Sequence, residues 1–103
     1  MTVINANKFL IVVVGIAVPG TAEQVAEHFI PDGYGPVTVK ARLANLGTMY
    51  FADSQTNAQT SANRKALEAG ESTTFNIDKT SLLWFDADNT SDRAEISVHK
   101  PLG

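Results

Sequence analysis

The sequence contains no cysteine. This excludes disulfide bonds, thiol nucleophiles, iron–sulfur clusters and cysteine-ligated zinc, and it excludes the blue-copper sandwich proteins, whose metal needs a thiolate. Basic residues are also scarce, since 8 Lys and Arg face 11 Asp and Glu and give a net charge of −3. A protein that neutralises phosphates needs a dense basic surface. We therefore expect no nucleic-acid partner.

Long hydrophobic runs are nearly absent as well. The longest covers residues 9–18, directly after Lys8, and it is too short to cross a bilayer. It ends in Pro19-Gly20 and lacks the small-residue pattern of a signal-peptide cleavage site. We predict a β-strand over about Lys8–Ala17, with no signal peptide and no membrane partner.

What remains is the composition of one globular domain. The 103 residues are 44% hydrophobic and 18% charged, and no linker, repeat or low-complexity tract divides them. We assign residues 1–103 to a single domain, with residues 1–7 as an extended arm.

Apolar and polar residues alternate in short segments separated by turn residues, which is typical of antiparallel strands. The clearest segment is residues 37–43, with Val37, Val39, Ala41 and Leu43 pointing inward, and Asn45-Leu46-Gly47 predicts a hairpin to a strand at 48–53. The pattern predicts an all-β, single-domain antiparallel β-sandwich or jelly-roll-like fold with about seven short strands. The other inward positions are Thr73, Phe75, Ile77, Leu83, Phe85, Ala87, Ala94, Ile96 and Val98.

Residues 54–69 form the longest predicted connection, and their composition is mostly polar. We expect this segment to be the most mobile part of the domain, with Leu67 as its only large aliphatic anchor and one helical turn within residues 63–69, closed by Gly70. Removing part of residues 55–62 should then leave folding intact.

Residues that carry catalytic or metal chemistry do not form a recognisable motif. His28 and His99 are far apart in sequence, and no nucleophile motif is present. The loop from Asp86 to Asp92 offers oxygens at every second position, as calcium loops do, but Ser91 and Ser97 stand where such a loop has glycine and glutamate. We interpret it as a plain turn, with a weak ion site as the alternative, and we predict no enzyme activity, cofactor or metal site.

Two aromatic residues are candidate contacts for a partner or ligand. Trp84 alternates with Leu83 and Phe85, and Tyr50 alternates with Met49 and Phe51, so both are predicted on an outer sheet face. Such residues stack on sugars or anchor protein interfaces. With a shifted register, Trp84 would instead belong to the core.

The first predicted strand is apolar at every position, whereas a strand with one covered face needs apolar residues only at alternate positions. One alternating set enters the core, and the other leaves an apolar surface unless a second copy covers it. The alternative is a central strand covered on its second face by residues 23–30 as a helix. We predict a homo-oligomer interface formed by Phe9, Leu10, Ile11, Val12, Val13 and Val14.

The order of the motifs resembles that of small virion structural proteins of tailed bacteriophages, of the capsid decoration (cement) or fibre-associated β-sandwich type. The resemblance spans residues 8–99. It implies a non-catalytic protein on the capsid surface, a homotrimer, with the major capsid protein as partner. The alternative is a glycan- or receptor-binding module on a phage tail or fibre. The motifs are Pro19-Gly20-Thr21-Ala22-Glu23-Gln24-Val25, Ile30-Pro31-Asp32-Gly33, Val37-Thr38-Val39-Lys40-Ala41, Asn45-Leu46-Gly47-Thr48-Met49-Tyr50-Phe51, Leu67-Glu68-Ala69-Gly70-Glu71-Ser72 and Leu83-Trp84-Phe85-Asp86-Ala87.

Overall fold

The computed structural model describes the backbone of residues 8–100 and the side chains of residues 11–99. The predicted arm of residues 1–7 and the side chains of Phe9 and Leu10 therefore lie outside the described residues. Within the described range, no helix is long and apolar enough to cross a membrane. The strands and helical turns are β1 (Lys8–Val14), β2 (Glu23–Gln24), β3 (Val37–Ala41), β4 (Met49–Ala52), α1 (Gln55–Ala58), a 3₁₀ turn (Ser61–Asn63), β5 (Lys65–Leu67), β6 (Ser72–Phe75), a second 3₁₀ turn (Thr80–Leu82), β7 (Trp84–Ala87) and β8 (Ala94–Lys100).

The strands form two four-stranded antiparallel sheets. The first sheet has the order β1-β8-β3-β6 and the second the order β2-β7-β4-β5. The first strand thus pairs with the last, the second with the seventh, the third with the sixth and the fourth with the fifth. This is the strand order of an eight-stranded jelly roll, and the predicted all-β sandwich is confirmed.

The inward positions of the two sheets meet in one hydrophobic core. Val37, Val39 and Ala41 of β3 are at most 1% exposed, and Phe51 packs against Phe85 with ring centroids 6.3 Å apart. Thr73, Phe75 and Ile77, at the β6 edge, are only half-buried. The remaining predicted core positions are confirmed as buried: Leu83, Phe85, Ala87, Ala94, Ile96 and Val98.

The connection between β3 and β4 differs from the prediction. Leu43, predicted to point inward, is 78% exposed because β3 ends at Ala41. The hairpin predicted at Asn45-Leu46-Gly47 does not form, since β3 and β4 belong to different sheets. The Asn45 side chain instead donates to the Arg93 carbonyl oxygen at 2.9 Å and accepts from the Arg93 N–H at 2.8 Å. These contacts are long-range, so a local turn pattern cannot reveal them.

Residues 54–69 are anchored well before Leu67, contrary to the prediction. Helix α1 lies at the start of the segment, where the Ser54 hydroxyl accepts the Asn57 N–H at 3.1 Å, and Ala58 is fully buried. The helical turn predicted within residues 63–69 is also wrong, because Lys65–Leu67 forms β5 and pairs with β4. Leu67 itself is 1% exposed, as predicted.

Strand β1 is an edge strand of the first sheet and pairs only with β8. It ends at Val14, whereas the prediction extended it to Ala17. Residues 23 and 24 instead form the short strand β2 in the second sheet. A covering helix over residues 23–30 is therefore wrong, and no part of that segment covers the outer face of β1 as a helix.

Candidate functional site

The outward residues of β1 form an exposed apolar strip at one edge of the first sheet, which we call the edge surface. Val14 is buried and Val12 is half-buried, whereas Ile11 and Val13 are 56% and 46% exposed. Phe9 falls on the same alternate positions as Ile11 and Val13. Of the four described side chains in this strand, Val12 and Val14 pack against the core, whereas Ile11 and Val13 remain uncovered in the single chain.

The edge surface ends abruptly at the next strand. Ile11 stands opposite Ser97 and Val13 opposite Glu95, and the strand beyond continues the outer face with Thr38 and Lys40. The far edge of the sheet, β6, carries the polar sequence Ser-Thr-Thr before Phe75. Natural edge strands are commonly protected by charges, proline or bulges. Residues 9–14 contain no charge and no proline.

Trp84 lies on the outer face of the second sheet, as predicted, but it is covered. It pairs with Ala52 across the β4–β7 ladder and packs against a cluster of three buried alanines, Ala22, Ala52 and Ala58. Helix α1 and the segment before β2 supply Ala58 and Ala22. The two segments are joined because the Ala22 N–H donates to the Gln59 side chain at 2.8 Å. Trp84 is therefore half-buried in a second, smaller apolar layer.

Tyr50 occupies the same outer face and is likewise engaged within the chain. The Arg64 guanidinium lies 3.5 Å from the ring centroid, and the Tyr50 hydroxyl donates to Asp88 at 2.8 Å. Burial raises the pKa of Tyr50 above its usual 10.0, and the hydrogen bond to Asp88 and the charge of Asp88 raise it further, while Arg64 opposes the shift. The ring thus has a cation on one face and is less available to a ligand.

Two acidic residues, one in β7 and one in the loop after it, serve as structural hydrogen-bond acceptors. Asp92 is fully buried and accepts the N–H groups of Leu46 and Gly47 at 2.8 and 3.0 Å. Asp86, expected to alternate outward, is only 3% exposed and accepts the Gly20 N–H at 2.9 Å. The loop forms a turn closed by the Asp92 N–H and the Asn89 carbonyl. Among the described residues, no three His, Cys, Asp or Glu side chains cluster as metal ligands would.

Those hydrogen bonds fix a loop that exposes two large apolar residues. The loop of residues 42–47, the leucine loop, is held by Asp92 and by the paired bonds between Asn45 and Arg93. Leu43 and Leu46 are nevertheless 78% and 82% exposed. Sequence reasoning missed this surface because Leu43 continues the alternation of β3. The only available signal was that the alternation runs into an Asn-Leu-Gly turn.

A cleft opens where the two sheets separate near the ends of β4, β5 and β6. Its volume is about 740 Å³. The apolar lining residues, which we call the wall, come from both sheets and the second 3₁₀ turn, whereas the other lining residues, which we call the rim, are polar. The wall residues are Phe51, Ala52, Phe75, Ile77, Leu82 and Leu83. Sequence analysis did not identify the cleft, because its residues come from six separate segments. The rim residues are Asp53, Asn57, Asn63 and Lys65.

Comparisons with protein-family models, with curated proteins and with solved structures found no match. The strand order alone identifies the jelly roll. One fold supports many unrelated activities, so the function of this chain depends on its surfaces.

Proposed function

We propose that this chain is a non-catalytic virion protein of a tailed bacteriophage, a capsid decoration protein that stabilises the head by bridging capsid subunits. The observation that carries the proposal is the presence of two exposed apolar surfaces on rigid elements, the edge surface and the leucine loop. A bridging protein needs one surface for its own copies and another for the lattice. The order of motifs, which resembles that of phage decoration proteins, supports the same role.

The edge surface is suited to contact with a second copy of the chain. The outer edge of β1 has no partner strand among the described residues, so its N–H and C=O groups remain open to another strand. Burying a side chain such as Ile11 or Val13 contributes about 1.5–3 kcal/mol, before the costs of association. The trimeric state is taken from the family resemblance, because an open edge does not fix the number of subunits.

The leucine loop is suited to contact with the capsid. Its backbone is fixed by the buried Asp92 carboxylate and by Asn45, so little conformational freedom is lost when it binds. Exposed leucines on an ordered loop offer an apolar anchor to a pocket on a partner. Three copies in a homotrimer would present three such loops to the repeating lattice.

Stabilisation follows from mass action. A protein that binds the assembled lattice, and not its separated subunits, shifts the equilibrium toward the assembled state. Several equal contacts on one oligomer act together, so each contact can be weak while the whole remains bound.

The proposal is tested with purified capsids of the encoding phage from which decoration proteins have been removed. We expect saturable co-sedimentation of the wild-type chain and a higher capsid melting temperature. Leu46→Asp should weaken binding about tenfold or more, because one buried leucine and its pocket are lost. Val18→Asp is the matched control, since Val18 is 58% exposed and lies outside both surfaces. Equal binding to unassembled subunits, or no binding to capsids, would contradict the proposal.

The alternative function, a glycan- or receptor-binding module, was predicted to use Tyr50 and Trp84. Stacking on a sugar requires an open aromatic face. Arg64 lies over the Tyr50 ring, and Trp84 packs against the alanine cluster. The geometry of these two residues therefore does not support a ligand site on this face.

A further inference from the structure

Hydrogen bonds hold the polar rim of the cleft in a fixed arrangement. The Asn63 side-chain amide donates to the Asn57 side-chain oxygen at 3.2 Å, and the Asn57 amide donates to Asp53 at 2.8 Å. The backbone around this chain is fixed as well, because the Asn57 N–H is bonded to Ser54 and the Asn63 N–H to the Thr60 carbonyl. The rim therefore presents oriented amide and carboxylate groups before any ligand arrives.

Two opposite charges line the cleft without neutralising each other. Asp53 and Lys65 both belong to the rim, yet the ion pair found among the described residues joins Arg42 and Glu95. The second Asp53 oxygen and the Lys65 ammonium have no hydrogen-bonding partner in the described part of the chain. The cleft thus combines free acceptors and free donors with a formal charge of zero.

Three residues of the apolar wall are only partly covered. Phe75 and Ile77 are half-buried, although they occupy inward positions, and Leu82 is 42% exposed. At the other core positions of the same sandwich, the facing sheet covers such side chains. A ligand that fills the cleft would gain apolar contact on this wall and hydrogen bonds on the rim.

We propose that the cleft binds a neutral carbohydrate unit. A sugar ring has an apolar C–H face and an array of hydroxyl groups that both donate and accept, which matches one apolar wall and one amide, carboxylate and ammonium rim. A balanced pair of charges favours a neutral ligand over an anion or a cation. An anion would be repelled by Asp53, and a cation would be repelled by Lys65. The volume of about 740 Å³ admits a ligand of one or two sugar rings.

This site is separate from the surfaces assigned to self-association and capsid binding, because none of the residues that line the cleft belongs to the edge surface or to the leucine loop. It does not depend on the decoration function. A decoration protein that binds carbohydrate would carry the particle to glycan-bearing surfaces, and several copies on one capsid would multiply a weak contact.

The test is a titration of the full chain with neutral saccharides, followed by amide chemical shifts. The probes are glucose, galactose, N-acetylglucosamine and their β-1,4-linked disaccharides. We expect saturable shifts at rim and wall residues for at least one probe, with a dissociation constant on the order of 1 mM. Asn63→Ala should weaken binding about fivefold, the usual effect of one neutral hydrogen bond.

Matched variants distinguish binding in the cleft from binding of saccharides elsewhere on the protein. Asn76→Ala and Lys40→Ala change exposed residues outside the cleft and should bind as wild type does, whereas Lys65→Ala should weaken binding as Asn63→Ala does. Shifts centred on Trp84, preferential binding of charged saccharides or amino acids, or no saturable shift with any probe would overturn the proposal. The titration contains no capsid, so its failure is distinguishable from failure of the decoration function.

Discussion

The outer faces of the two sheets differ in how far other segments of the chain cover them. On the second sheet, the outward residues Ala52, Trp84 and Asp86 are covered by α1 and by the segment before β2. On the first sheet, Ile11 and Val13 lie exposed, and no segment of the described chain covers them. The centre of the second sheet is thus covered on both faces within a single chain, while the first sheet keeps an apolar strip open.

The difference shows what a covered sheet face requires. The covering layer consists of small side chains, Ala22, Ala52 and Ala58, which let α1 lie close to the strands. Polar bonds then close the layer, because the Gln55 side chain donates to the Ala22 carbonyl at 3.1 Å and Asp86 accepts the Gly20 N–H. The first sheet has large β-branched residues instead. We infer that its covering surface comes from another molecule.

The largest effect is expected from breaking the covered face with Ala58→Asp. Ala58 is fully buried, so the substitution places a carboxylate without a partner in the alanine layer. We expect the free energy of unfolding to fall by more than about 3 kcal/mol, as measured by urea denaturation.

The control for this substitution is Ala62→Asp, which places the same charge on an exposed position of the same connection. Its effect should remain within about 0.5 kcal/mol. Similar losses for the two variants would mean that α1 does not pack as described. The comparison also tests the initial expectation that residues 55–62 are dispensable, which the burial of Ala58 contradicts.

A second comparison uses one acidic residue from each outer face. Asp86 is buried and accepts two backbone N–H groups, from Gly20 at 2.9 Å and from Ala87 at 2.7 Å, whereas Glu95 forms a half-exposed ion pair with Arg42. We expect Asp86→Ala to cost about 2 kcal/mol of unfolding free energy, and Glu95→Ala less than about 1 kcal/mol. Asp86→Asn keeps an acceptor and should recover part of the loss. Equal effects of the two alanine variants would contradict the distinction between the faces.

The exposed strip is tested by Ile11→Lys. Because Ile11 is 56% exposed in the single chain, folding should change by less than about 0.5 kcal/mol. Self-association should weaken about tenfold or more, because an apolar contact is replaced by a charge. Light scattering at low micromolar concentration measures the mass of the wild-type protein and of Ile11→Lys. The control is Lys40→Ala, which changes the polar part of the same sheet. A wild-type chain that stays at its monomer mass of 11.0 kDa would contradict the interface.

Sequence periodicity predicted the core strands well because each strand has one face in the core. Val39, Phe85 and Ile96 follow that rule and are buried. The rule failed for Leu43, because β3 ends at Ala41 and the following loop is held by long-range bonds between Asn45 and Arg93. It also could not reveal the burial of Ala58, which packs with Ala22 and Trp84 from segments that are distant in sequence. The cleft could not be predicted, since alternation within a strand does not show where two sheets separate.

The smallest effect concerns the titration of Tyr50, which belongs to the covered face but lies at its border. Burial and Asp88 raise its pKa above 10.0 in the folded chain, so the neutral phenol is stabilised by folding. That contribution is fully present below pH 10 and is lost as the pH rises through the folded-state pKa. In Tyr34→Phe, Tyr50 is the only remaining tyrosine, and its ultraviolet absorbance titration should have a higher midpoint in buffer than in urea. Asp88→Asn should lower the folded midpoint because a negative charge is removed, and Arg64→Gln should raise it because a positive charge is removed. A folded midpoint at or below that of the unfolded chain would mean that Tyr50 is solvated like the residues of the open sheet.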